Sequence, residues 1–456
     1  MTGSTRRAFL GAAGLAATGT GRLVGQTKRP NLLLIMADDM GASDLSSYQC
    51  PDTKTPNIDS LAQEGVKFTC AYANAPECTP TRAGLLTGRY QQRVGGLECA
   101  IGVGNVGRYD EAEWLAKRGE LGLPVSETSI ARMLKDSGYA TACIGKWHLG
   151  YDEKFSANRH GFDEYFGILG GNADYFTHRE EDEANVLNHN GKPVQEDGYV
   201  TDLITDHSLR WMEQATRGTK PWFLYVPYTA PHLPLQGPAD GPVTEKAKWN
   251  QGTRETYVQM VEHMDRRIGD LLTMLRRTGS ANNTLVIFKS DNGGYPKSRN
   301  FPFRGFKSSV FEGGLRVPML MQWPGVIPRA TSTDQVAISM DVSATILAAA
   351  GVAPPRPLDG IDLLPVLRRE QRPFPRTLYW SYKRGEQRRW AVRDGQWKYI
   401  TDNGNDYLYN LALDEVEKID LKEAEREKFT RLRSMLAAWK RQTAPERLKP
   451  FFAAQR

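Results

Sequence analysis

Five short apolar runs, each stopping at a polar or glycine-containing loop, constrain this chain most. They are Asn31 to Met36, Tyr139 to Ile144, Trp222 to Tyr228, Thr284 to Phe288 and Val317 to Gln322. Rich in β-branched or aromatic residues, they predict strands buried on both faces. Stretches with helical signals lie between them. Thr55-Pro56-Asn57 opens one that runs through Leu61 toward Gly65. Glu127 to Asp136 forms another, ended by Gly138. Thr253 to Thr278 is the longest, with Tyr257, Met260, Val261, Met264, Ile268, Leu271 and Leu272 at a period of about 3.6 residues before Gly279. Buried strands alternating with helices predict the α/β class: a large, mostly parallel sheet covered by helices on both faces.

The chain has 456 residues, too many for one small core. Its texture changes between Pro354 and Pro375. Aromatic alternation follows in Leu378 to Tyr382, Trp390 to Arg393 and Trp397 to Ile400, and Asp394-Gly395 between two of these runs is a hairpin signal. With Asp406 to Leu411 as a fourth strand and Glu423 to Arg441 as an amphipathic helix, residues 371–456 read as a small antiparallel sheet plus helix. Residues 27–370 read as the larger α/β unit.

The first 26 residues stand apart. Arg6-Arg7-Ala8-Phe9-Leu10 precedes a small apolar run, Gly11 to Ala17, the order of a secretory signal. The Arg-Arg-x-Phe-Leu core resembles a twin-arginine export signal, which implies a periplasmic or secreted protein. The apolar run is too short to span a bilayer, and no Cys follows it to carry a lipid, so no membrane anchor is expected. The formal charge is +6; without Arg6, Arg7 and Arg22 it is +3, too weak a bias to predict nucleic-acid binding. Five cysteines, Cys50, Cys70, Cys78, Cys99 and Cys143, contain no C-x-x-C pair, so neither a zinc nor a thioredoxin-like site is supported. Their spacing leaves disulfide or free thiol open.

Chemistry collects where the strands end, the place where open α/β sheets bind ligands. Asp38-Asp39 follow the first run, Lys146 and His148 the second, His232 the third, and Asp291-Asn292 the fourth. The oxygen donors Asp38, Asp39, Asp291 and Asn292 suit a hard cation such as Ca²⁺ or Mg²⁺. Cys78 lies just before Thr79-Pro80, a helix-start signal in which Thr79 caps and Pro80 fits the first turn, so its side chain is expected at the positive end of a helix. Arg82 follows about one turn later. The glycine-rich Gly102 to Gly107 lacks the G-x-G-x-x-G spacing and reads as a loop.

Cys78-Thr79-Pro80-Thr81-Arg82, followed by Leu86-Thr87-Gly88-Arg89, resembles the signature of the type I sulfatases. The resemblance extends over nearly the whole mature chain, through Gly145-Lys146-Trp147-His148, His160-Gly161-Phe162-Asp163, Asp291-Asn292-Gly293-Gly294 and Glu312 to Pro318. It implies the alkaline-phosphatase-like fold. It also implies that Cys78 is oxidised to Cα-formylglycine by a formylglycine-generating enzyme, with the aldehyde hydrate as nucleophile. Asp38, Asp39, Asp291, Asn292 and the modified Cys78 would ligate Ca²⁺. Arg82, Lys146, His148, His232 and Lys307 would bind sulfate and move protons. Here the chain departs from the usual pattern, with Phe306 and Ser308 on either side of Lys307 and with Arg304 able to share its work.

The implied activity is hydrolysis of a sulfate ester, and export makes a sulfated carbohydrate the expected substrate, with a small aryl sulfate as a model. The alternatives are a phosphoester or phosphonate hydrolase of the same superfamily, or a non-catalytic binder of sulfated glycans. Asn172, Asp174, Tyr175 and His178 follow Gly170-Gly171 and are candidates to line the leaving-group pocket. Arg384, Arg388 and Arg389 are candidates for further anionic groups.

Overall fold

The computed structural model describes residues 29–455 except 183, 244 and 296. The export-signal reading therefore lies outside the described residues.

A ten-stranded mixed sheet forms the centre. Strand Asn31–Ala37 pairs in parallel with Trp222–Pro227 on one side and Thr284–Ser290 on the other. Ala140–Ile144 and Glu164–Ile168 continue the parallel order beyond Trp222–Pro227. Met319–Gln322 joins Thr284–Ser290 antiparallel, and short strands complete both edges.

The central strand shows why the runs lack polar alternation. Leu32, Leu34 and Met36 enter one core with Leu85, Leu134 and Ile346. Leu33 and Ile35 enter another with Ile58, Ile204, Met260 and Met264. Successive residues point to opposite faces, and helices cover both. Pro56–Gln63, Val200–Arg217 and Arg254–Arg277 supply one layer. Cys78–Thr87, Ile130–Asp136 and Ser339–Ala350 supply the other.

Four antiparallel strands follow, Thr377–Arg384, Gln387–Asp394, Trp397–Asp402 and Asn405–Asn410, with helix Arg426–Gln442 packed on them. Asp394 pairs with Trp397 across the expected tight turn, where Gly395 takes φ 58°. This sheet shares the first core: the Trp380 indole N–H donates to Ala73 O at 2.9 Å, and its ring lies 5.1 Å from that of Tyr72.

Some boundaries move for identifiable reasons. The helix expected from Glu127 starts at Ile130, because Ser129 caps it by accepting the Arg132 N–H at 3.1 Å. Val317 stays outside its strand and bonds Ala71 O instead. Val200–Arg217 and Ser339–Ala350 were not read from sequence. The second is buried from Ser339 through Leu347, so it carries no amphipathic stripe to detect.

Candidate active site

The loops after the parallel strands meet at one end of the sheet and enclose a cleft of about 270 Å³. Its floor and walls include Asp39, Cys78, His148, Asn172, His232 and Lys307.

Cys78 is the first residue of helix Cys78–Thr87 and is 1% exposed. The residue that precedes the helix is Glu77, which corrects the expectation that Thr79 caps it. Thr79 lies inside the first turn, where its hydroxyl donates to His148 O at 3.0 Å and accepts the Ile101 N–H at 3.2 Å. Pro80 still sits in the first turn, where its missing N–H costs nothing. Cys78 therefore sits at the positive end of the helix, next to Asp38, Asp39 and His232; one ligand atom from each of the four lies within 4.8 Å of the others.

Beneath them is a dry layer of paired charges. Lys146 Nζ bonds Asp38 Oδ2. Arg82 sends one nitrogen to Lys146 O at 2.8 Å and the other to Asp291 Oδ2 at 3.1 Å. The Asp39 N–H donates to Asp291 Oδ1 at 3.1 Å, and Asn292 Nδ2 donates to Asp39 Oδ1 at 2.7 Å. Three carboxylates thus face three cations, Arg82, Lys146 and Lys307. Two buried oxygens, Asp38 Oδ1 and Asn292 Oδ1, have no partner among the described residues. Burial, and then the Asp291 charge, push the Asp38 carboxyl well above the ordinary carboxylate range. Burial also raises Asp39, but Lys307 and His232 outweigh it and hold that carboxyl low. Orphaned hard oxygens beside crowded carboxylates fit a divalent cation.

Both histidines are held neutral. Burial, then Lys146, keeps His148 far below its usual range. Its Nε2 is 3.0 Å from Ile101 O, so that nitrogen carries the hydrogen and the unpartnered Nδ1 is a free base. Burial, then Lys307, lowers His232. Its Nδ1 bonds Leu233 O at 2.9 Å. Lys307 donates to Asp39 Oδ2 at 2.7 Å; burial opposes its charge, but Asp39 and Cys78 outweigh burial and hold the ammonium protonated.

Asp39, His148 and Ser308 all have positive φ, 63°, 54° and 70°, although none is glycine, and all three line the cleft. Such conformations cost about 1–3 kcal/mol each and persist where the surroundings impose them.

The expected leaving-group residues divide. Asn172 lines the cleft. Asp174 does not: its carboxylate accepts the N–H groups of Phe176, Thr177 and Val243 and the Gln236 amide, so it organises its own loop. Tyr175 and His178 are likewise turned away, the tyrosine hydroxyl donating to Thr229 O and His232 O and the histidine bonding Gly198 O. Arg304 lies over the Phe311 ring and donates to Tyr409 Oη and Glu417 O, which removes it from the work of Lys307. Of the three C-terminal arginines, Arg384 reaches the cleft. Arg388 stays at its own turn with Gly385 O, and Arg389 bonds Asp402 and Ser308 O.

Sequence reasoning passed over Glu77, Arg108 and Tyr151, which also line the cleft. Phe306 and Ser308 join them, and their departure from the usual pattern beside Lys307 was the available signal. All five cysteines are buried and free.

Comparison with known proteins agrees with this geometry. Residues 30–352 match the sulfatase family model, and residues 305–442 match the C-terminal model of N-sulphoglucosamine sulphohydrolase. The N-acetylgalactosamine-6-sulfatase of Canis lupus familiaris is 33% identical over 377 residues, 78% of this chain and 68% of the relative. Arylsulfatase J of Mus musculus is 32% identical over 390 residues, 81% of this chain and 62% of the relative. A crystal structure of Ps i-CgsB in complex with k-i-k-neocarrahexaose superposes with a TM-score of 0.79 at 32% identity, covering 90% of this chain and 93% of that one. A phosphonate monoester hydrolase of Agrobacterium radiobacter shares the fold at TM-score 0.62 and 20% identity, covering 91% of this chain and 96% of that one. A buried Cys at a helix start, among carboxylates and neutral histidines at the strand ends, is thus set in an alkaline-phosphatase-like sheet, and the chain belongs to the sulfatase family of sulfuric ester hydrolases.

Proposed function

We propose that the protein hydrolyses a sulfate ester on a carbohydrate, using formylglycine made from Cys78 beside Ca²⁺ held by Asp38, Asp39, Asp291, Asn292 and the modified residue 78. Mg²⁺ suits the same oxygens. The observation that carries this reading is the position of Cys78, at a helix start beside Asp38, Asp39 and His232, in a site where Asp38 Oδ1 and Asn292 Oδ1 have no partner among the described residues. A carbohydrate substrate is supported by the names of the relatives.

When bound, the cation would polarise the sulfuryl oxygens and acidify a hydroxyl at position 78. The protein's residues supply the rest. Lys146 and Lys307 offset negative charge at the cleft floor, and Arg82 holds Asp291 and the Lys146 carbonyl in place. His148 Nδ1, a neutral base at the cleft wall, takes a proton at position 78. The Lys307–His232 pair passes a proton to the leaving sugar oxygen, Lys307 being its charged member. Residues 1–26 serve as a twin-arginine export leader, a role supported by Arg6-Arg7 and the apolar run after them.

The test is turnover of an aryl sulfate and an aryl phosphate by protein coexpressed with a formylglycine-generating enzyme, alongside Cys78→Ala. Sulfate release that needs Cys78 and is lost with chelator is expected. Faster phosphate release, or no sulfate release from protein whose mass shows the converted residue, would sink the reading.

A further inference from the structure

Two cations that line the cleft are not used by this chemistry, Arg108 and Arg384. Arg108 lines the same cavity as Cys78, His148 and Lys307. It is half-buried, and its guanidinium has no hydrogen-bond or ion-pair partner among the described residues.

Arg384 makes the contrast. It also lines the cleft, but its guanidinium lies 2.9 Å from Glu77 Oε1 and is neutralised there. Glu77 is saturated, since it also accepts the Ala100 N–H at 2.6 Å, the Ser308 hydroxyl at 2.7 Å and the Tyr382 hydroxyl at 3.1 Å. Of the other two cleft acids, Glu181 pairs with Lys246, and Asp39 is held by Lys307 and Asn292. Each carboxylate that lines the cleft therefore already has a partner other than Arg108.

The support under Arg108 is pinned on three sides. Gly102 and Val106 exchange backbone hydrogen bonds at 2.8 and 3.2 Å, closing the loop before it. The Tyr151 N–H donates to Asn105 Oδ1 at 3.0 Å, and the Gly385 N–H donates to Arg108 O at 2.6 Å. A Cβ on Gly102 would come within 3.3 Å of Arg108 Nε, so the glycine leaves the guanidinium its room. The pinned loop carries Arg108 as a pre-set cation, and its planar fork fits a sulfate or carboxylate in two places at once.

We propose that Arg108 determines specificity by binding a second oxyanion of the substrate, so that the enzyme selects sugars bearing a further sulfate or carboxylate besides the sulfate it removes. This rests on the sulfatase reading for the substrate class but not for the chemistry.

Binding by calorimetry tests it on the full chain with Cys78 unconverted, where no turnover is needed. The probes are matched monosulfated and disulfated disaccharides from chondroitin, heparin and carrageenan. A monosulfated uronate disaccharide and its methyl ester form a further pair that separates carboxylate from sulfate. In at least one pair the wild type should favour the more anionic member by about tenfold to a hundredfold. Arg108→Ala should bring that ratio close to one, and Arg108→Lys should keep part of it. A ratio that survives Arg108→Ala, or a wild type that shows no preference in any pair, overturns the proposal. Lack of sulfate release after conversion of Cys78 would instead sink the sulfatase reading and leave a measured Arg108-dependent preference standing.

Discussion

Lys307 places its Nζ 3.0 Å from His232 Nε2. Because His232 Nδ1 is committed to Leu233 O, Nε2 presents its lone pair to the ammonium, and the two residues share one proton at the cleft wall. Lys307→Ala is expected to lower kcat on an aryl sulfate by about 10²–10⁴-fold. A kcat within a factor of a few of wild type would remove Lys307 from the proton path.

Cation binding should be visible without turnover. A cation bound at the proposed site would give Asp38 Oδ1 and Asn292 Oδ1 a partner, so Ca²⁺ should stabilise the fold. At a free concentration a hundredfold above Kd the gain is about 3 kcal/mol, read as a rise in Tm by scanning calorimetry. Asn292→Ala should abolish most of that rise. An equal rise in this variant would place the cation elsewhere.

Gly171 backs the His148 ring. A Cβ there would meet His148 Cε1 at 2.6 Å and Nε2, the nitrogen tethered to Ile101 O, at 2.8 Å. Gly171→Ala should therefore displace the ring and lower kcat at least tenfold, about 1.4 kcal/mol in the barrier, with a smaller effect on KM. Unchanged kcat would show that the ring can yield without losing its base.

Glu180 gives a pH signature outside the charged floor. It is 3% exposed and accepts the Tyr151 hydroxyl at 2.6 Å through Oε1. Burial raises its carboxyl from 4.5 to about 7. The folded state then holds a proton that the unfolded chain releases, so this contribution is complete below about 4.5 and is lost as pH rises to about 7. Glu180→Gln cannot lose it. Urea unfolding should show the variant gaining on the wild type by about 3 kcal/mol across that window. A constant difference between the two would refute the assignment.

Much of the site was legible because its residues sit next to strong local signals. Asp38, Lys146, His232 and Asp291 each follow a strand run within a few residues, and strand ends converge in any parallel sheet. Arg108 and Glu77 carried no such signal. Arg108 ends a glycine-rich stretch with no periodicity, and Glu77 is held by groups far along the chain, among them Ser308 and Arg384, 231 and 307 residues away. Asp174 shows the converse: a polar residue in the right loop, turned inward because four donors surround it.

Local sequence thus determined the alternation of buried strands and helices, the hairpin at Asp394-Gly395 and the set of residues brought to one edge. Those depend on hydrophobic period, turn chemistry and motif, all properties of neighbours in the chain. Only the tertiary structure decided that Glu77 rather than Thr79 precedes the Cys78 helix and that Asp38 Oδ1 and Asn292 Oδ1 are left unpartnered. It alone paired Arg384 with an acid and left Arg108 without one among the described residues. Those outcomes depend on which distant groups share a buried space, where desolvation makes every donor, acceptor and charge find a partner or remain available for a ligand.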